Sequence, residues 1–193
     1  MRALYRRRRE SGGDLVIRAA VAAALIWAAP AAAQDANPAI GGSVAEMVFG
    51  VYCAEPPADR VEAPGTVSGV INIVRDLPVM QAGQLLVPAE LGVGFGVLVD
   101  MQPGRSFGQA IVELTHPPYP TNGVEVETYI TDLSDAVTNL VGFSFDHDYE
   151  LVPGPWTFRV FEGEEEIFEI TFEVAPPGTL PPSMSPCAGA FTS

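Results

Sequence analysis

Between Val44 and Val174 apolar and polar residues trade places every second position, in runs of five to ten residues separated by Gly and Pro clusters. A period of two puts successive side chains on opposite faces of a strand, so these runs must be strands with one buried face. Met47, Phe49, Val51 and Cys53 share one face of a first strand, and Glu46 and Tyr52 take the other. Ala54 to Thr66 is a loop, Ser68 to Val74 a second strand, and a short strand is expected around Leu85 to Val87. Gly92 to Met101 follows, with Val93, Phe95, Val97, Val99 and Met101 on one face and Gly94 and Gly96 on the other. Bare glycines inside a strand imply a bulge or the close approach of another segment.

Further strands are expected at Ala110–His116, Val124–Ile130, Asn139–Phe145, Trp156–Val160 and Phe168–Val174. Within them Val112 and Leu114 face in and Glu113 out, while Val124, Val126 and Ile130 oppose Glu125 and Glu127. Glu162-Gly163-Glu164 reads as a hairpin tip. The one stretch with any helical character, Leu133 to Leu140, is a turn or two at most. Seven or eight short strands with turn residues between them make an all-β chain, a single antiparallel β-sandwich. After Val174 five prolines lie between Ala175 and Pro186, which fits an extended strap and not a strand.

The first 33 residues have a different character. Arg6 to Arg9 form a basic start, Ala19 to Ala29 an apolar run, and Pro30 with Ala31-Ala32-Ala33 a break and a small-residue cleavage site. This is the order of a secretory signal, with cleavage expected after Ala33. The run is too short to span a bilayer. Residues 34–43 are small and polar and read as a flexible leader, 44–175 as the sandwich, and 176–193 as the strap. The mature protein is then expected in the periplasm or outside the cell.

The signal segment holds six of the ten arginines and two of the 24 acids, so the mature chain keeps four arginines against 22 acids, net −18, with no lysine. Such a surface repels phosphate backbones and anionic lipids, which argues against nucleic acid as a partner. The two cysteines, Cys53 and Cys187, allow one intramolecular pair, and an oxidising compartment favours a disulfide.

Candidate sites are sparse. Run as an extended segment, Asp146, Asp148 and Glu150 project together and could hold Ca²⁺ weakly. The segment lacks the glycine and distal glutamate of a dedicated calcium loop, so a solvated acidic loop is the first reading and a calcium-dependent module the alternative. His116, in His116-Pro117-Pro118, has no partners nearby in sequence and is read as bonding a loop carbonyl. Glu162 with Glu164–Glu166 is read as a solvated sheet corner. Trp156, Phe158, Phe168 and Phe172 read as core, leaving Tyr52, Tyr119 and Tyr129 as candidates for surface aromatics. There is no nucleophile elbow, metal-spaced Cys/His set or phosphate loop. A non-catalytic module binding a protein or envelope polymer is therefore expected, with a small hydrolase built on a carboxylate pair as a remoter alternative.

The ordered elements Leu114-Thr115-His116-Pro117-Pro118, Gly142-Phe143-Ser144-Phe145-Asp146, Tyr149-Glu150-Leu151-Val152-Pro153-Gly154-Pro155-Trp156-Thr157-Phe158 and Phe168 to Val174 resemble the bacterial family catalogued as domain of unknown function 3859. That resemblance implies an immunoglobulin-like sandwich and no particular activity. The signal segment and the tail carrying Cys187 lie outside the resembling region.

Overall fold

The computed structural model describes residues 37–187. The secretory segment with its cleavage point at Ala33, residues 34–36 of the leader and residues 188–193 of the strap lie outside them.

Twelve strands run through the described residues: β1 (Ala39–Ile40), β2 (Val44–Cys53), β3 (Asp59–Glu62), β4 (Val70–Ile73), β5 (Gln81–Ala82), β6 (Leu86–Pro88), β7 (Val93–Met101), β8 (Phe107–Thr115), β9 (Val126–Leu133), β10 (Asn139–Ser144), β11 (Gly154–Glu162) and β12 (Glu165–Ala175). They form a six-stranded sheet in the order β1-β12-β11-β8-β9, with β6 added to β12, and a four-stranded sheet in the order β10-β7-β2-β5. β3 and β4 make a separate hairpin. The pairing is antiparallel throughout except at β6, which runs parallel to β12. The count exceeds the seven or eight expected, and β1, β3 and β5, pieces of two to four residues, supply three of the extra strands. Pieces that short carry no readable alternation.

The two sheets meet face to face over an aromatic core. Phe95 of β7 stands at its centre, with ring centroids 5.7 Å from Trp156, 5.8 Å from Phe158 and 5.3 Å from Phe172 on the opposing sheet. Phe143 and Phe145 complete the ring of neighbours at 6.0 and 5.5 Å. The inward faces read from alternation hold for β7, β8, β11 and β12: Val93, Val97, Val112, Leu114, Val160, Ile170 and Val174 are all buried. The predicted tip is a two-residue turn, Gly163–Glu164, and Gly163 takes a φ of 61°, a region that suits glycine.

Three expectations are corrected. Residues 37–43 are not a free leader, because Ala39 and Ile40 pair with Glu169 and Phe168. The Asn37 amide also donates to Thr171 O at 2.8 Å and accepts from Thr171 N at 2.9 Å, copying a strand's own pairing. β9 presents the opposite face to the one expected: Glu127 is buried while Val126 and Ile130 are 48% and 59% exposed. Tyr52 and Tyr119 are buried, not surface aromatics, and Tyr129 is half-buried.

On the bare face of β7, Gly96 meets the backbone of β10, where a Cβ would fall 2.2 Å from Val141 O, and Gly94 meets Tyr52. The Tyr52 side chain packs against Gly94, where a Cβ would fall 2.3 Å from the ring, and against Gly142, where a Cβ would fall 2.9 Å from the hydroxyl. The aromatic ring fills what two glycines leave open. Gly94→Ala is expected to cost about 1–3 kcal/mol by overpacking. A urea midpoint unchanged from the parent would sink this account of the Gly94 contact.

Cys53 and Cys187 are joined by a disulfide, with Cα atoms 5.0 Å apart and a sequence separation of 134. The strap reaches it through Gln84 Nε2, which donates to Met184 O at 3.0 Å, and Ser185 Oγ, which donates to Glu90 at 2.7 Å. Reduction is expected to lower stability by about 2–4 kcal/mol. A melting temperature indifferent to reductant would show that the bond adds no stability.

Candidate functional site

The β3–β4 hairpin and its loop sit beside β9, the edge strand of the larger sheet. Three bonds hold it there. Thr128 N–H donates to Gly65 O at 3.0 Å, Val67 N–H donates to Glu127 Oε2 at 2.6 Å, and Asn72 Nδ2 donates to Asp146 Oδ2 at 2.9 Å. The hairpin therefore bridges the edge of the larger sheet to the segment that follows β10.

Beneath the loop lies a closed polar cluster. Tyr119 Oη donates to Glu127 Oε1 at 2.7 Å, and His116 Nε2 lies 3.5 Å from the same oxygen. Glu127, His116 and Tyr119 are all buried, and the His116 ring stacks between Tyr119 and Trp156 at centroid distances of 4.1 and 4.6 Å. His116 Nδ1 lies 2.8 Å from Pro117 O, the loop carbonyl contact expected of it. A carbonyl oxygen only accepts, so Nδ1 carries a proton, and Nε2 faces a carboxylate oxygen that also accepts. At 3.5 Å the Nε2 contact is an electrostatic one and falls outside hydrogen-bond geometry.

Burial raises the Glu127 carboxyl, but His116, the Tyr119 hydroxyl and the Val67 amide together outweigh it and hold the group below the usual glutamate range. Tyr119 is raised by burial and by the neighbouring carboxylate.

Asp146, Asp148 and Glu150 do not come together as a calcium site. Asp148–Glu150 is a 3₁₀ turn and not an extended run, so the three side chains diverge. The Glu150 carboxylate turns inward and accepts from the amides of Asp146 and His147 at 2.6 and 2.8 Å. Asp146 is committed to Asn72, and among the described residues no three His, Cys, Asp or Glu side chains converge. Burial raises the Glu150 carboxyl, with the two amides partly offsetting it. Tyr149, pushed up to about 12 by burial and the adjacent Glu150, packs edge-on against Tyr119. The segment thus supports the cluster from below.

The acidic hairpin tip is likewise engaged. Glu165 pairs with Arg105, Glu166 with Arg159, and Glu162 accepts from the Gln109 amide.

A groove of about 370 Å³ lies between the hairpin and β9, lined by Ala63, Pro64, Ile71, Ile111, Tyr129 and Ile130 among others. Glu62 is the charged residue in its lining. Sequence reasoning missed both features. The signal available was Glu127 itself, an acid placed where β9 needs an inward residue, which leaves Val126 and Ile130 outside.

The sequence matches the family model described as Domain of unknown function (DUF3859) over residues 43–174. No curated protein matches the chain. Among solved structures it is similar to an immunoglobulin-like protein from Pseudomonas aeruginosa, with 20% identity, a TM-score of 0.51, and coverage of 74% of this chain and 99% of that one. At that identity the likeness establishes the fold alone, an immunoglobulin-like β-sandwich. With well over half of its residues matched, the chain belongs to the Domain of unknown function (DUF3859) family.

Proposed function

We propose that the mature chain is an exported, non-catalytic recognition module of the bacterial cell envelope that binds a protein partner through the groove between the β3–β4 hairpin and β9. The observation that carries this reading is the groove itself: an apolar opening with Ile130 exposed at its lip, held open by a hairpin anchored on both sides. Export is supported by the signal-like segment at residues 1–33 and by the Cys53–Cys187 disulfide. No helix among the described residues is long and apolar enough to cross a membrane. The non-catalytic part is supported by the enclosure of His116, Glu127 and Tyr119 beneath the loop, where the Tyr119 hydroxyl and the Val67 amide both donate to the Glu127 carboxylate.

A photo-crosslinking residue at position 130, expressed in the source bacterium, is expected to capture a specific protein. The same residue at Val137, also exposed but outside the groove lining, is expected to capture none. Equal capture at both positions, or none at 130, refutes the groove as the recognition surface. Thiol labelling of intact cells with and without reductant tests export separately, since a protein kept in the cytoplasm would label without reductant.

A further inference from the structure

We propose that the partner enters as an extended, basic segment that adds to the free edge of β9 at Ile130 and Asp132 and seats one large apolar side chain against Ile71, Ile111 and Ile130. This rests on the reading of the groove as a protein-binding surface and specifies its ligand.

The extended form follows from the edge. β9 ends the six-stranded sheet. Thr128 N–H points away from β8, because it is bonded to Gly65 O. Backbone groups alternate sides along a strand, so the N–H and C=O of Ile130 and Asp132 point to the same open side. The hairpin covers this edge at Thr128 and stops there. An incoming strand can therefore continue the ladder where the hairpin leaves off, in the manner of β-strand addition.

The side chain follows from the groove. In such a strand alternate residues face alternate ways, so one in two is directed at the apolar lining beside Ile130. Ile130 pairs across with Ile111, which carries the apolar floor onto β8. A groove of about 370 Å³ accommodates one large apolar side chain and excludes a bulky polar headgroup by its lining.

The charge follows from the surroundings. Glu62 lines the groove, Glu113 sits opposite Thr128, and Asp132 is exposed on the edge itself. Arg60, on the same hairpin, has its Nε engaged with Asn72. Arg105 and Arg159 are paired with Glu165 and Glu166, so their charges are already met. The mature chain at −18 attracts a basic segment and repels a second copy of itself.

The test is selection from a random linear peptide library displayed on phage, using the mature disulfide-bonded protein at low salt, with Ile130→Asp as the counter-selected protein. The expected outcome is enrichment of peptides that alternate apolar residues with Lys or Arg. A synthetic selected peptide is expected to bind at least tenfold more weakly to Ile130→Asp, several-fold more weakly to Glu62→Lys, and as before to the control Val137→Asp. Amide exchange is expected to slow at Ile130–Asp132 when it binds. Both 130 and 62 are exposed, and an unchanged melting temperature verifies that the variants fold. No enrichment, acidic or non-alternating peptides, binding indifferent to Ile130→Asp, or protection elsewhere overturns the proposal. The wider reading fails separately: a crosslink at position 130 without strand-like peptides leaves the groove as the recognition surface and removes the added strand.

Discussion

Phe95→Ala is expected to lower the free energy of unfolding by about 3–5 kcal/mol, a large part of what a domain of this size possesses. Phe95 is fully buried, and five aromatic rings from both sheets lie within 6.0 Å of its own. Deleting the ring removes its transfer free energy and leaves a cavity that the neighbours cannot close, because Trp156 is fixed by its Nε1 bond to Val152 O at 3.0 Å. Phe158 is pinned by its place in β11. The measurement is urea denaturation followed by Trp fluorescence, which also reports loss of packing around Trp156. A loss below about 1 kcal/mol would mean that the two sheets do not meet over this residue. Phe95→Leu, which refills part of the space, is expected to recover more than half of the deficit.

The second large effect belongs to Glu127. Glu127→Ala strips the acceptor from the Tyr119 hydroxyl, the Val67 amide and His116 at once, in a place closed to water. Removing one partner from a buried charged cluster costs about 3–5 kcal/mol, since the groups left behind stay desolvated and unpaired. The pH profile distinguishes the carboxylate from mere bulk. The folded Glu127 carboxyl lies below its ordinary value, so its contribution is complete above the ordinary glutamate range and disappears as pH falls through the folded value. Glu150 has the opposite sign. Its folded carboxyl is raised, so its contribution is complete below the ordinary range and is lost as pH rises through the raised value. Glu127→Gln should therefore flatten the acid-side loss of stability and leave the Glu150 contribution in place. It should also speed amide exchange at Val67, whose charged acceptor is replaced by a neutral amide with one acceptor oxygen for two donors. An acid limb unchanged in Glu127→Gln would show that the cluster does not hold its charge.

What could be read in advance divides along physical lines. β7, β11 and β12 are central or well-covered strands with a wholly apolar inward face, so the alternation of Val93 to Met101 and of Phe168 to Val174 names the core directly. β9 is an edge strand whose inward positions include Glu127 and the half-buried Tyr129, so the same rule selects the wrong face. Nothing local distinguishes Glu127 from the solvated Glu125; the difference is made by Tyr119, His116 and Val67, which reach it from other segments. Asp146 to Glu150 fails for a related reason. The extended geometry assumed for its carboxylates was displaced by a turn that uses Glu150 as its own amide acceptor. The Cys53–Cys187 pairing was legible because two cysteines allow one intramolecular pair, and the structure forms it. The groove could not be foreseen, because it exists between a hairpin and a strand edge more than fifty positions apart in sequence.

The disulfide also decides how the folded domain carries mechanical load. Tension applied between residue 37 and residue 187 travels along β1 and β2 to Cys53, crosses the sulfur–sulfur bond and leaves at Cys187. Residues 54–186 hang from that path as a closed covalent loop and feel no pull along their backbone. Stretching can peel β1 from β12 and then draw β2 out of its sheet, but it cannot unravel the strands between the two cysteines. The domain behaves as a short, stiff link with a bounded extension, and reduction turns the same chain into one that can be paid out to its full contour.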